Sequence, residues 1–257
     1  MFHIFQNTHK TKPFHRTSPM KLVRLYKSMT PDQVQLIKTW GYGGLVEIKC
    51  SKLQPDLCKF LMKSFDPSSC KLVFPGRGSI DVTEASVHKV MGVPKGDIDV
   101  RYERDADAIT FMNNQLENSN KLQPKIKFLE RKLAAMKTAD STYLRLFIIY
   151  SVCSVIAPTT GTRLSPRVYP SLVRIKQCNK LNMCKFIISM LQEAAKSRAE
   201  VGIMKSCMLF FMVQPFSFCL NMCKFHLLLY FYFLTIFLKA TCRRVRIIKV
   251  LEAKKKN

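Results

Sequence analysis

The chain has 257 residues, 47% of them hydrophobic, which is enough apolar material for a real core and excludes wholesale disorder. Its formal net charge is +25, from 42 Lys and Arg against 17 Asp and Glu. That excess favours polyanionic partners: nucleic acid, or an anionic membrane face. The length suits one domain with tails, or two small domains at most.

The first 20 residues read as a polar, basic tail. His3, His9 and His15 recur in it at six-residue spacing, but a metal site needs a fixed backbone, which nothing in this stretch supplies. MFHIFQNTHKTKPFHR contains no apolar run of signal-peptide type. The ten cysteines show no CxxC spacing, so free and mostly buried thiols in a reducing compartment are expected, without a structural zinc.

The globular reading starts at Pro31, which opens a short helix over DQVQLIKTW from the N1 position. Gly41, Gly43 and Gly44 end it. Neither GxxxxGK[ST] nor GxGxxG occurs, so these glycines are read as turn chemistry rather than a phosphate loop. Asp56 is expected to cap a helix over LCKFLMKSF, with Leu57, Phe60, Leu61 and Phe65 on one face. CKLVF, PGRG and SIDV predict a hairpin of two short strands. Thr83 predicts the N-cap of EASVHKVM, with Gly92 at its C-terminal end and Val87, Val90 and Met91 inward. His88 falls off that stripe and reads as a surface or boundary residue, not a base.

Residues 97–122 are polar and predict a helix with a loose loop. Pro124 starts a helix over KIKFLERKLAAMK. Asp140 caps STYLRLFIIYSVCSVIA, which is apolar nearly all round and so predicts the central core helix. Its stretch from Leu144 to Ile156 is too short, and too soon followed by Pro158, to span a bilayer. Ser165–Pro166 and Asn182 begin two more helices. The fold class predicted is mainly α: a single helical domain with one short β-hairpin, plus a hydrophobic C-terminal helix.

The blocks WGYGGLVEIKC, LCKFLMKSFDPSSCKLVFPGRGSIDVTEASVHKVMGVPKG, ADSTYLRLFIIYSVCSVIAPTT, LSPRVYPSLV and LNMCKFIISML occur in this order. Together, over residues 20–212, they resemble a grass-expanded plant family related to the "aminotransferase-like, plant mobile domain" proteins. The resemblance implies a mainly helical domain derived from, or captured by, plant transposable elements. Such domains often precede a ubiquitin-like-protease domain, and no such second domain follows in this sequence. The family name suggests a pyridoxal enzyme. A Schiff-base lysine needs a phosphate cup and a partner for the pyridine nitrogen, and neither pattern is present. No catalytic, cofactor-binding or metal-binding residue is assigned, and a non-enzymatic module is expected.

Beyond Met212 the composition changes to Phe, Leu, Tyr, Ile and Lys, so 213–257 is read as a divergent hydrophobic and basic tail. The hexapeptide LNMCKF occurs at 181–186 and again at 220–225, which reads as a local duplication. Phe225 to Leu238 is an apolar run reaching about 21 Å, against about 30 Å of bilayer core. Extended back to Cys219 it is long enough, but it then includes Asn221 and Lys224. The basic flank at Lys239, Arg243, Arg244, Arg246 and Lys249 favours a cytoplasmic side. The functional expectation is a module that contacts protein or binds nucleic acid non-specifically through phosphates, in the nucleus. The alternative is a membrane-anchored protein held by residues 219–238. Its terminal KKKN resembles a dilysine retrieval tail, so the membrane named is the endoplasmic reticulum.

Overall fold

A helix that is apolar on every side must be covered on every side, and the fold is organised by that demand. The computed structural model describes residues 16–50, 52–118, 123–159, 161–197 and 206–221, with side chains to Pro215 in the last segment. In chain order the helices are α1 (Pro19–Tyr26), α2 (Pro31–Thr39), α3 (Pro55–Ser64), α4 (Glu84–Met91), α5 (Ala106–Leu116), α6 (Ile126–Ala135) and α7 (Ser141–Ser151). They continue with α8 (Tyr169–Leu172), α9 (Met183–Lys196) and α10 (Met208–Asn221). Short 3-10 turns cover Gly43–Val46, Pro166–Val168 and Ile175–Lys180. The molecule is mainly helical, as the pattern predicts.

Asp140 caps α7 by accepting from the Tyr143 amide at 2.8 Å. Every residue from Tyr143 to Ile156 is buried. The helix ends in a π turn, Val152–Ile156. Helices α2 and α6 and the Ile175–Lys180 turn pack on α7, while α1 and α10 pack on the π turn. One residue breaks the apolar reading. Arg145 is buried inside α7, and among the described residues its hydrogen-bond partners include no carboxylate. Its Nε donates to the Leu172 carbonyl at 2.9 Å and its Nη1 to Gln115 Oε1 at 3.3 Å, and its guanidinium lies 5.2 Å from the Phe111 ring centroid. Desolvation pushes its pKa down.

The chain enters the fold earlier than the tail reading places it. Thr17 is buried and donates to the Ser206 carbonyl at 2.7 Å, and the Ser18 amide donates to the Ser154 carbonyl at 2.9 Å. Helix α1 follows at once, with Pro19 at its start and Leu22 and Leu25 buried one turn apart. Three lysines and arginines in PMKLVRLYK disguise that stripe. His3, His9 and His15 lie outside the described residues.

Several local expectations hold and some shift. Thr30 and Gln33 form a capping box on α2, and the buried Gln33 amide also donates to the carbonyls of Met136 (2.9 Å) and Thr138 (3.0 Å). Helix α3 begins with Pro55, so Asp56 stands in its first turn and Gln54 occupies the cap position. Phe60 is not on the buried face of α3: it is 47% exposed and stacks on Phe74, with centroids 6.0 Å apart. Phe65 has left the helix to become part of a strand.

The sheet has three strands rather than two: β1 (Phe65–Asp66), β2 (Lys71–Phe74) and β3 (Gly78–Asp81), antiparallel in the order β1-β2-β3. Leu72 pairs with Phe65 on one side and Ile80 on the other. The extra strand is made by the β1–β2 turn. Asp66 Oδ1 accepts from the Ser68 amide (3.0 Å) and hydroxyl (2.6 Å), Oδ2 accepts from Ser69 Oγ, and Cys70 adopts φ 52°.

Helix α10 buries Met208 to Met212 and runs through the compositional boundary at Met212 to Asn221. Phe211 packs on Phe65 at 5.0 Å, and Gln214 Nε2 donates to the Asp81 carbonyl at 3.3 Å. The segment from 213 to 221 is therefore continuous with the domain's last helix. The hexapeptide repeat is not a structural repeat over the described residues. Leu181–Asn182 begins α9, with Asn182 as cap, whereas Leu220–Asn221 ends α10.

Two measurements test this architecture. Phe147→Ala removes a fully buried ring from α7 and is expected to cost about 3–5 kcal/mol in urea unfolding; a loss under about 1 kcal/mol would remove α7 from the centre of the core. The hydrogen bonds from Ser68 and Ser69 hold the Asp66 carboxyl down at about 2, against an ordinary 3.8. Its folded value lies below its unfolded one, so the turn's contribution is present above about pH 4 and fades as the pH falls towards 2. An NMR titration of Asp66 with a midpoint near 4 would contradict the turn geometry.

Candidate nucleic-acid interface

Among the described residues, α6 and its neighbours carry a marked concentration of cations. That helix turns Ile126, Leu129 and Leu133 inward and leaves Lys127, Phe128, Arg131 and Ala135 on the opposite, solvent face. Lys125 stands exposed just before the first turn. Its backbone pairs with Arg163, which the Ile126 amide to Thr162 carbonyl bond (2.8 Å) and the Leu164 amide to Pro124 carbonyl bond (2.9 Å) hold alongside. Arg163 also donates from Nη1 to the Gln123 carbonyl at 2.6 Å. On the other flank α1 packs on α6 and brings Arg24 and Lys27.

Across residues 19–27, 123–135 and 161–164 the basic positions are 21, 24, 27, 125, 127, 131, 132 and 163, against one carboxylate, Glu130. Arg24 already occupies that carboxylate, with Nε to Oε1 at 3.1 Å and Nη2 to Oε2 at 3.3 Å. Lys132 is taken by Glu117 at 3.1 Å. Lys125, Lys127 and Arg131 form no ion pair with any described residue. Lys127 and Arg131, one helical turn apart on a rigid element with Lys125 at its start, match what phosphate contacts require. At their centre is Phe128, 42% exposed.

A cleft of about 550 Å³ lies elsewhere, between the first turn of α5 and residues 170–181. Its floor includes Ile98, Phe111 and Leu181, and its rim includes Asp99, Arg101 and Asp105. The rim charges largely satisfy one another. Asp105 caps α5 through the Ala108 amide (2.8 Å) and pairs with Arg101 (3.4 Å), and Asp99 pairs with Lys185 at 2.8 Å. The cleft therefore presents far less uncompensated charge than α6.

The residues singled out from sequence take other duties. The Gly44 amide donates to the Gly92 carbonyl at 3.1 Å, and a Cβ on Gly44 would stand 2.0 Å from the Met91 carbonyl oxygen. These glycines allow two backbones to touch, and the amides a phosphate would need are engaged. His88 is exposed and donates from Nδ1 to the Val93 carbonyl at 2.7 Å, which closes the α4 terminus. Among the described residues no cluster of His, Cys, Asp and Glu could hold a metal ion. No described helix is long and apolar enough to cross a membrane, and of the proposed anchor 219–238 only the backbone of 219–221 lies within the described residues. Reading the solvent face of α6 from sequence was possible, because 126, 129 and 133 fix the buried stripe. The contributions of Arg163 and α1 were not legible, since loop and helix pairing bring them in.

Residues 15–212 match the model of a family described as a domain of unknown function (DUF8566). The chain belongs to that family. This corrects the resemblance to the plant mobile domain proteins, and the transposable-element origin inferred from it falls with it. The blocks that carried the resemblance are capped helices, a tight turn and a buried apolar run. Those features follow from helix and turn physics and recur across unrelated helical domains. No curated protein and no solved structure matches the chain.

The thiols provide a test of the packing beneath this surface. Burial pushes Cys58, Cys178, Cys184 and Cys207 up to about 12 and Cys153 to about 11, while Cys70 is half-exposed at the β1–β2 turn. Alkylation of the native protein at pH 8, mapped by mass spectrometry, should modify Cys70 first among these six. Modification of Cys153 or Cys207 at a similar rate would show that the core opens readily.

Proposed function

We propose that this chain is a non-catalytic nucleic-acid-binding module that holds phosphates through the solvent face of α6. The observation that carries the proposal is the row of cations at Lys125, Lys127 and Arg131, unpaired among the described residues, with Arg163 beside them, on a surface whose carboxylates, Glu130 and Glu117, are already held by Arg24 and Lys132. Ammonium and guanidinium groups on a rigid helix neutralise phosphates without reading base edges, so binding is expected to be sequence-independent and salt-sensitive. The net charge of +25 adds long-range attraction for any polyanion.

Four phosphate contacts give a slope of log affinity against log salt of about −3 to −4. Fluorescence anisotropy of the full chain with labelled oligonucleotides should show that slope and similar affinities for unrelated sequences. The double variant K127E/R131E should weaken binding to all of them and flatten the slope by about two or more. Affinity for one sequence that persists at high salt, or a double variant that binds as the parent does, would overturn the proposal.

A further inference from the structure

We infer that Phe128 is a stacking platform for an unpaired base, so that the ligand held by α6 is single-stranded nucleic acid; this rests on the phosphate-binding reading above. Among the described residues the exposed large hydrophobics are Phe60, Val73 and Phe128. Phe60 already lies against Phe74. Val73 is aliphatic. Phe128 has no ring or guanidinium against it among the described residues, and 42% of its surface meets solvent. Leaving a phenylalanine in water forgoes the stabilisation its burial would give.

Position makes the exposed ring useful. Lys127 precedes it, Lys125 lies one turn before it and Arg131 one turn after it, all on or beside the solvent face of α6. A ring set among backbone-binding cations is the arrangement that single strands recognise. The cations track the phosphates while a base stacks on the aromatic, whatever its identity. In a duplex the faces of the bases are stacked on each other and out of reach of a ring on a helix surface. An exposed aromatic among phosphate contacts therefore separates the two forms of the ligand, where lysines and arginines alone do not.

The test compares a labelled oligothymidylate strand with a duplex of equal length, each titrated with the full chain, its F128A and F128W variants and K127E/R131E. Phe128 is on the surface, so the variants should keep the parent circular dichroism. F128A is expected to weaken single-strand binding roughly tenfold, to leave duplex binding unchanged and to keep the salt slope; F128W should restore the single-strand affinity. Equal loss on strand and duplex, or no loss on either, overturns the platform. If K127E/R131E still weakens both ligands in that case, the phosphate reading survives alone. If the double variant also has no effect, both readings fail together.

Discussion

The structure depends on covering α7. From Tyr143 to Ile156 the chain exposes no side that water could face, so helices, a 3-10 turn and the N-terminal segment must all arrive there. The π turn at Val152–Ile156 matters for the same reason. It lies between α1 and α10, and its Ser154 carbonyl accepts the Ser18 amide. One residue further out, Thr17 reaches the Ser206 carbonyl. A strip of two residues thus ties the start of the domain to the end of its central helix and to the entry of its last one. A buried backbone carbonyl left unpaired would cost about 1–3 kcal/mol, which gives these bonds their weight.

Around that core several buried polar groups act as staples, although the Tyr143, Ser154 and Tyr169 hydroxyls have no hydrogen-bond partner among the described residues. Gln33 uses its oxygen on the Thr30 amide and its NH2 on two carbonyls beyond α6. Tyr42 is fully buried and donates to the Cys178 carbonyl at 2.9 Å, which joins the Gly-rich turn to the segment before α9. Arg145 fastens α7 to α8 and α5 without a carboxylate partner among the described residues. Close backbone approach completes the set. Gly44 meets Gly92, and Gly96 meets Lys180, at distances no Cβ would permit.

With the interior so occupied, charge is left to the surface, and there it separates. The cleft beside α5 mixes both signs, with Arg101 paired to Asp105 and Asp99 to Lys185. The α6 face does not balance, because its helix supplies lysine and arginine where α1 supplies more of the same. That imbalance, with the half-exposed Phe128 in it, is the surface feature on which the proposed function is built. The family to which the chain belongs carries no assigned function, so the proposal stands on this surface alone.

Local physics was written in the sequence. The caps at Thr83, Asp140, Ser165 and Asn182, the Gly92 stop and the apolar run of α7 depend on neighbours within a turn, and they emerged where the residues put them. Tertiary contact decided the rest. Helix α1 forms because Leu22 and Leu25 find a core that its basic composition hides. Phe60 turns outward because Phe74 offers it a ring. Phe65 becomes a strand because the Asp66 turn offers it Leu72 as partner. The candidate interface divides in the same way. Lys127, Phe128 and Arg131 share a face by helical period alone, whereas Arg163, Arg24 and Lys27 join them through packing between segments distant in the chain, which no local pattern encodes.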